Sequence, residues 1–153
     1  AMLFMILAAA ALFGHAVTII RLPIEIVEQV TAIGLSPAMF IVVVMLLVLF
    51  LGMFLETISI ILITTPIVFP VMIALAIDPI WYGILLMINL ELALITPPLG
   101  MNLFVIKGIA KAPLSEVIRG ALPYATLMLL GLIIVFTFPA LSTWLPRVAG
   151  FGG

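Results

Sequence analysis

Five long apolar runs, separated by short polar or proline-bearing steps, organise this chain. The first, Met2–Ile20, is interrupted only by Gly14, His15 and Thr18, and Arg21-Leu22-Pro23 ends it. The stretch Ile24–Ile33 changes character. Glu25, Glu28 and Gln29 fall on one side and Ile26, Val27, Val30 and Ile33 on another, the pattern of a short amphipathic helix lying at a membrane interface. Pro23 suits its first turn, and the two glutamates complement the positive end of the helix dipole. Gly34-Leu35-Ser36-Pro37 then turns the chain back.

Two further runs, Ala38–Leu55 and Ser59–Ile77, are joined by Glu56-Thr57, too short a linker for a solvated loop. They are predicted to form a helical hairpin, either two full spans or a re-entrant dip. Thr64-Thr65-Pro66 and Pro70 are expected to interrupt its returning arm. Asp78-Pro79 resets the direction, with Trp81 and Tyr82 as interfacial anchors. As one straight helix, Ile80–Ala110 would measure roughly 45 Å against a hydrocarbon core of about 30 Å. A break near its middle removes the mismatch. A charged connection with Lys107, Lys111, Glu116 and Arg119 leads into a last span, Gly120–Leu141, and a tail through Trp144 and Arg147.

Composition sharpens the class. Of 153 residues 67% are hydrophobic and 7% charged, and the mean hydropathy is +1.60. A soluble domain runs near half apolar and a quarter charged, so this is an integral membrane protein. Continuous runs exclude the short alternating segments of a β-barrel, leaving an all-α architecture. No cysteine is present, which excludes disulfides and thiolate chemistry, and a net charge of −1 argues against nucleic acid. The first residues lack a basic region and a small-residue cleavage site, so the chain is read as beginning inside something larger. By parity, Arg21, Glu25, Glu28, Asp78 and Arg147 share one face, and Lys107, Lys111, Glu116 and Arg119 the other. Three basic residues against two favour the second face as cytoplasmic.

Three ionisable groups remain at membrane depth: Glu56, Glu91 and His15. A charge there is disfavoured by about 3 kcal/mol, so each asks for a reason. Glu56 lies beside Thr57 and Ser59 and four residues after Gly52. There, carbonyls, hydroxyls and one carboxylate would suit a hard cation such as Na⁺, or Glu56 simply caps the returning helix. Glu91 reads either as a ligand or as a buried group that orients one. His15 reads as a neutral histidine at a helix contact. The sharpest feature is Thr96-Pro97-Pro98-Leu99-Gly100, followed by Asn102. Two prolines remove two backbone donors and disfavour helix at the residues before them. Unwound backbone at this depth is tolerated only where protein buries it or where it lines a wet cavity, and secondary transporters build sites from such breaks. A proline kink used for packing is the plain alternative. An intramembrane enzyme is disfavoured, since the chain has one histidine and no HExxH. A passive assembly or anchoring subunit leaves the double-proline break unexplained.

The segments "GMFLETISIILITTPIVFP", "IDPIWYGILLMINLELALITPPLGMNLF" and "FPALSTWLP", in this order, resemble the C-terminal part of the large membrane subunit of tripartite ATP-independent periplasmic (TRAP) transporters. The resemblance covers essentially the whole chain and implies the second of two inverted repeats of an elevator-type transporter. It divides the chain into a scaffold-type helix (residues 1–21), an interfacial arm (22–37), a hairpin (38–78), a discontinuous helix (79–111) broken at 96–100, and a last helix with its tail (112–153). It also implies Na⁺-coupled transport of small organic acids across the bacterial inner membrane, with Na⁺ near Gly52, Glu56, Thr57, Thr96 and Gly100. Substrate would meet Thr96, Pro97 and Asn102. The implied partners are a small membrane subunit, a soluble periplasmic binding protein and membrane lipid, with no cofactor beyond the coupling ion. Glu56 stands where the family more often has Asp, and Ala93 where glycine commonly precedes the break. Members carry a first repeat that is not visible here, so the chain is expected to be a fragment of a longer transporter.

Overall fold

The computed structural model describes residues 2–97 and 100–150, and among these it contains eight helices and no strand. They are α1 (Met2–Ile19), α2 (Leu22–Ala32), α3 (Pro37–Gly52), α4 (Thr57–Ala74), α5 (Pro79–Leu94), α6 (Met101–Ala110), α7 (Leu114–Thr137) and α8 (Ala140–Val148). By length and apolarity α4 and α7 can each cross a bilayer, and α1 with α2 meets the same test only as a pair bent by 57°. Many large apolar side chains, Ile109 and Leu127 among them, face outward rather than into a core. In water this would be untenable; in lipid it is the expected surface of an all-α membrane protein. The chain divides into two compact units, residues 1–44 with 55–79 and residues 45–54 with 80–153, so α3 contributes to both.

In the first unit α1 and α2 both pack on α4, and on each other. Small residues let α1 approach: a Cβ built on Gly14 would sit 3.4 Å from Cγ of Pro66. An open apolar cavity of about 510 Å³ lies alongside, walled by Leu7, Ala10 and Gly14 of α1 and Pro66, Phe69 and Pro70 of α4. Pro66 and Pro70 do not interrupt α4, contrary to expectation from the sequence; both lie inside a continuous helix. Pro66 has no N–H for the carbonyl of Leu62, but an opened turn at this depth would expose further unpaired groups to hydrocarbon. Hydroxyls reinforce the turn just before it. Thr64 Oγ1 donates to the Ile60 carbonyl at 2.8 Å and Thr65 Oγ1 to that of Ile61 at 2.6 Å.

Two helices of this unit end alike. After α2, Gly34 (φ 69°) donates to Thr31 O and Leu35 to Val30 O, each at 3.1 Å. After α4, Ala76 (φ 52°) donates to Ile73 O at 3.1 Å and Ile77 to Met72 O at 2.9 Å. Both are Schellman ends, one with the usual glycine in the left-handed position and one with alanine.

In the second unit α6 packs on α7. Buried Leu85, Leu86, Leu90, Leu92 and Ala93 line the inner side of α5. Trp81 and Tyr82 are not the pair of interfacial anchors that the sequence suggests. Tyr82 is only 6% exposed, and its hydroxyl is buried without a hydrogen-bond partner. Trp81 is half-buried and its Nε1 donates to the Val135 carbonyl of α7 at 2.9 Å. That carbonyl lies in the last turn of α7, where carbonyls lack a donor within the helix. Its donor four residues on is Pro139, which has no N–H.

The last span begins earlier than predicted, at Leu114, so Glu116 and Arg119 belong to α7 rather than to the connection. Pro113 sits at its N-cap (φ −64°, ψ 144°), and the N–H groups of Glu116 and Val117 bond back to the Pro113 carbonyl at 3.0 and 3.3 Å. Glu116 in the first turn favours the start through the helix dipole. The span also ends earlier than predicted, at Thr137, and beyond Phe138 and Pro139 the chain forms a separate short helix, α8, where the sequence suggested the end of the span and a tail.

Candidate functional site at the break between α5 and α6

The break is built by what proline cannot do. Helix α5 ends at Leu94, and the next residues tighten: Ile95 N–H bonds to Leu92 O at 3.3 Å and Thr96 N–H to Ala93 O at 3.2 Å. Pro97 has no N–H to give the Ala93 carbonyl, and Thr96 supplies it instead. Thr96 Oγ1 also donates to Leu92 O at 2.6 Å, which commits the hydroxyl proton and leaves the oxygen able only to accept. Pro98 and Leu99 lie outside the described residues.

Gly100 closes the break. A Cβ at this position would stand 2.9 Å from the Leu94 carbonyl oxygen, 2.9 Å from that of Thr96 and 3.1 Å from Cδ1 of Leu103. Two main-chain oxygens therefore converge on a buried point that only glycine leaves free. From there α6 begins, with Leu103 N–H bonded to Gly100 O at 2.8 Å and no side chain capping its N-terminus. Thr96 is half-buried, while Pro97 and Asn102 are exposed.

The other predicted residues fall as follows. Gly52, buried at the end of α3, belongs to the same unit as Thr96, Pro97, Gly100 and Asn102. Glu56 and Thr57 belong to the first unit. Glu56 occupies the N-cap position of α4 (φ −71°, ψ 143°), and its carbonyl accepts from Ile60 N–H at 3.1 Å. Its carboxylate does not cap the helix; Oε2 accepts a long hydrogen bond, 3.4 Å, from Ser59 Oγ. Glu91 is exposed on α5 rather than buried, and His15 is exposed on α1. Among the described residues no three His, Cys, Asp or Glu side chains gather in a metal-binding group.

One polar residue escaped sequence reasoning. Asn89 is buried on α5, and its Nδ2 donates to the Met45 carbonyl of α3 at 2.8 Å, both within the second unit. An amide inside a continuous apolar run is the signal that would have found it, because burying one without a partner is as unfavourable as burying a hydroxyl.

Residues 1–141 match the family model of the tripartite ATP-independent periplasmic transporter, DctM component. The chain belongs to this DctM family. It is 46% identical over 147 residues to a C4-dicarboxylate TRAP transporter large permease of Vibrio cholerae, covering 96% of this chain and 32% of that protein. A permease of the same description from Pseudomonas aeruginosa is 47% identical over 149 residues, covering 97% and 35%. A 2,3-diketo-L-gulonate TRAP transporter large permease of Escherichia coli is 35% identical over 133 residues, covering 87% and 31%. The chain thus spans about a third of the length of the curated relatives it matches. DctM-family proteins of these descriptions are transporter permeases, not enzymes.

Proposed function

We propose that this chain forms part of a Na⁺-coupled secondary transporter that moves small organic acids across the bacterial inner membrane. The observation that carries the proposal is the break between α5 and α6 in a membrane chain: two carbonyl oxygens converging beside Gly100, the Thr96 hydroxyl bonded to Leu92 O, and a helix N-terminus that no side chain caps. Carbonyl and hydroxyl oxygens suit Na⁺, and the positive end of the α6 dipole suits a carboxylate. Pro97 and Asn102 border the same break and are proposed to meet the substrate. Glu56, Thr57 and Ser59 supply a second group of side-chain oxygens, and Gly52 a buried helix end. C4-dicarboxylates are the first class to test, because relatives from three organisms are named for them. A small membrane subunit and a soluble periplasmic binding protein complete the proposed assembly.

The test is uptake of labelled succinate into proteoliposomes holding the full-length permease, its small subunit and its binding protein, under an imposed Na⁺ gradient. Thr96→Val keeps shape and removes the oxygen; it is expected to raise the Na⁺ concentration for half-maximal uptake about tenfold at unchanged protein yield. An unchanged Na⁺ dependence in this variant removes the break from the ion site, and uptake independent of Na⁺ in the unaltered protein overturns the coupling.

A further inference from the structure

Helix α8 is built inside out. Leu141, Trp144, Leu145 and Val148 follow the i, i+3, i+4, i+7 spacing of a single helical face, and each is between 64% and 69% exposed. Two polar residues point the other way: Ser142 is 7% and Thr143 4% exposed. In a helix that meets water the order is reversed. The hydroxyls of α8 are also silenced, since Ser142 Oγ and Thr143 Oγ1 both donate to the Pro139 carbonyl, at 2.9 and 3.1 Å. The turn from α7 leaves an open apolar cavity of about 510 Å³ walled by Phe138, Ala140, Leu141 and Trp144.

Position decides what covers this face. Helix α7 is a span of 24 residues, roughly 36 Å against a hydrocarbon core of about 30 Å, so its end at Thr137 reaches a membrane face. Helix α8 follows after two residues, and its nine residues, about 14 Å long, are too few to cross again. A short amphipathic helix starting at a membrane face lies in the plane of the interface, where tryptophan is favoured. Between α7 and the apolar face of α8, Phe138 is itself 60% exposed, and the hydroxyl of exposed Thr137 is turned back onto the Ile133 carbonyl at 2.7 Å.

We propose that α8 is an interfacial lipid anchor, with Leu141, Trp144, Leu145 and Val148 sunk among phospholipid acyl chains and one chain seated in the cavity against Phe138 and Trp144. The proposal does not depend on the transported substrate or the coupling ion.

Spin-label accessibility tests it. The chain contains no cysteine, so Leu141→Cys, Trp144→Cys, Val148→Cys and Thr143→Cys can be labelled singly in the full-length protein, with any cysteine outside this segment replaced. In phosphatidylcholine vesicles, labels at 141, 144 and 148 are expected to collide with oxygen several-fold more than with a water-soluble nickel chelate, and the label at 143 with neither. Low collision with both reagents at 141, 144 and 148 means a protein surface covers the face, and strong collision with nickel means water does; either result overturns the proposal. The three exposed positions decide the outcome even if Thr143→Cys fails to fold.

Discussion

Asn89 Nδ2 donates to the Met45 carbonyl oxygen at 2.8 Å, joining helices whose residues stand 44 apart in sequence. The amide is 1% exposed, so nothing from solvent can replace the bond. It is a register pin: sliding α5 against this part of α3 by one residue would strand a buried amide in apolar surroundings. Asn89→Leu is expected to lower stability by about 1 kcal/mol, since the polar group leaves with its bond. Asn89→Asp should cost more, because a carboxylate would face a carbonyl and has no proton to donate. Thermal unfolding of the purified full-length permease in detergent orders the two variants, and equal losses would remove the pin.

Gly100 and Gly108 separate crowding from flexibility. Gly100→Ala places a methyl group 2.9 Å from two main-chain oxygens, which cannot move without reopening the break. The expected loss is about 1–3 kcal/mol, typical of overpacking. Nothing lies within 4 Å of a Cβ at Gly108, in the last turn of α6, so Gly108→Ala should be neutral or stabilise by up to about 1 kcal/mol. Opposite signs in detergent melting curves are the expected result.

The two Schellman ends make a matched pair. Ala76 holds φ 52° where its counterpart Gly34 holds 69° without a Cβ. Ala76→Gly should relieve about 1 kcal/mol of left-handed strain, and Gly34→Ala should add a similar amount. Melting temperatures moving in opposite directions check both at once.

Trp81 serves a carbonyl that Pro139 leaves without a helical donor. Trp81→Phe keeps an aromatic ring near Phe136 but removes the donor to Val135, and is expected to cost about 1–3 kcal/mol. In a Pro139→Ala background an N–H becomes available to the same carbonyl, so the loss should shrink. A double-mutant cycle measures that coupling, and strict additivity would contradict it.

Much of this was legible beforehand. Continuous apolar runs specified the helices, because hydrocarbon leaves the backbone no other means of pairing its own groups. The break at Thr96-Pro97 was legible because consecutive prolines delete donors that no neighbour in the same turn can replace. Single prolines misled in α4. One missing N–H is tolerated where opening the turn would expose several more. Tyr82 misled in another way: a tyrosine near a helix start reads as an anchor from composition, but its depth depends on which helices pack around it. The sequence carried the last span through to Leu141 and left the rest as a tail, because the nine residues of α8 carry too little periodicity beside a span of 24. Glu91 draws attention as a charge in an apolar run, and only the packing of α5 shows that it faces outward while Asn89, two residues earlier, faces in.

The convergence of the Leu94 and Thr96 oxygens beside Gly100 has a consequence for how this region tolerates change. The polar point there is written in peptide groups, which every residue carries alike. Exchanging Leu94 for another apolar side chain would redecorate the walls and leave both oxygens where they stand. Only residues that steer the chain, Pro97 and Gly100 foremost, can erase the feature. The vulnerable positions in this stretch are therefore the chemically inert ones.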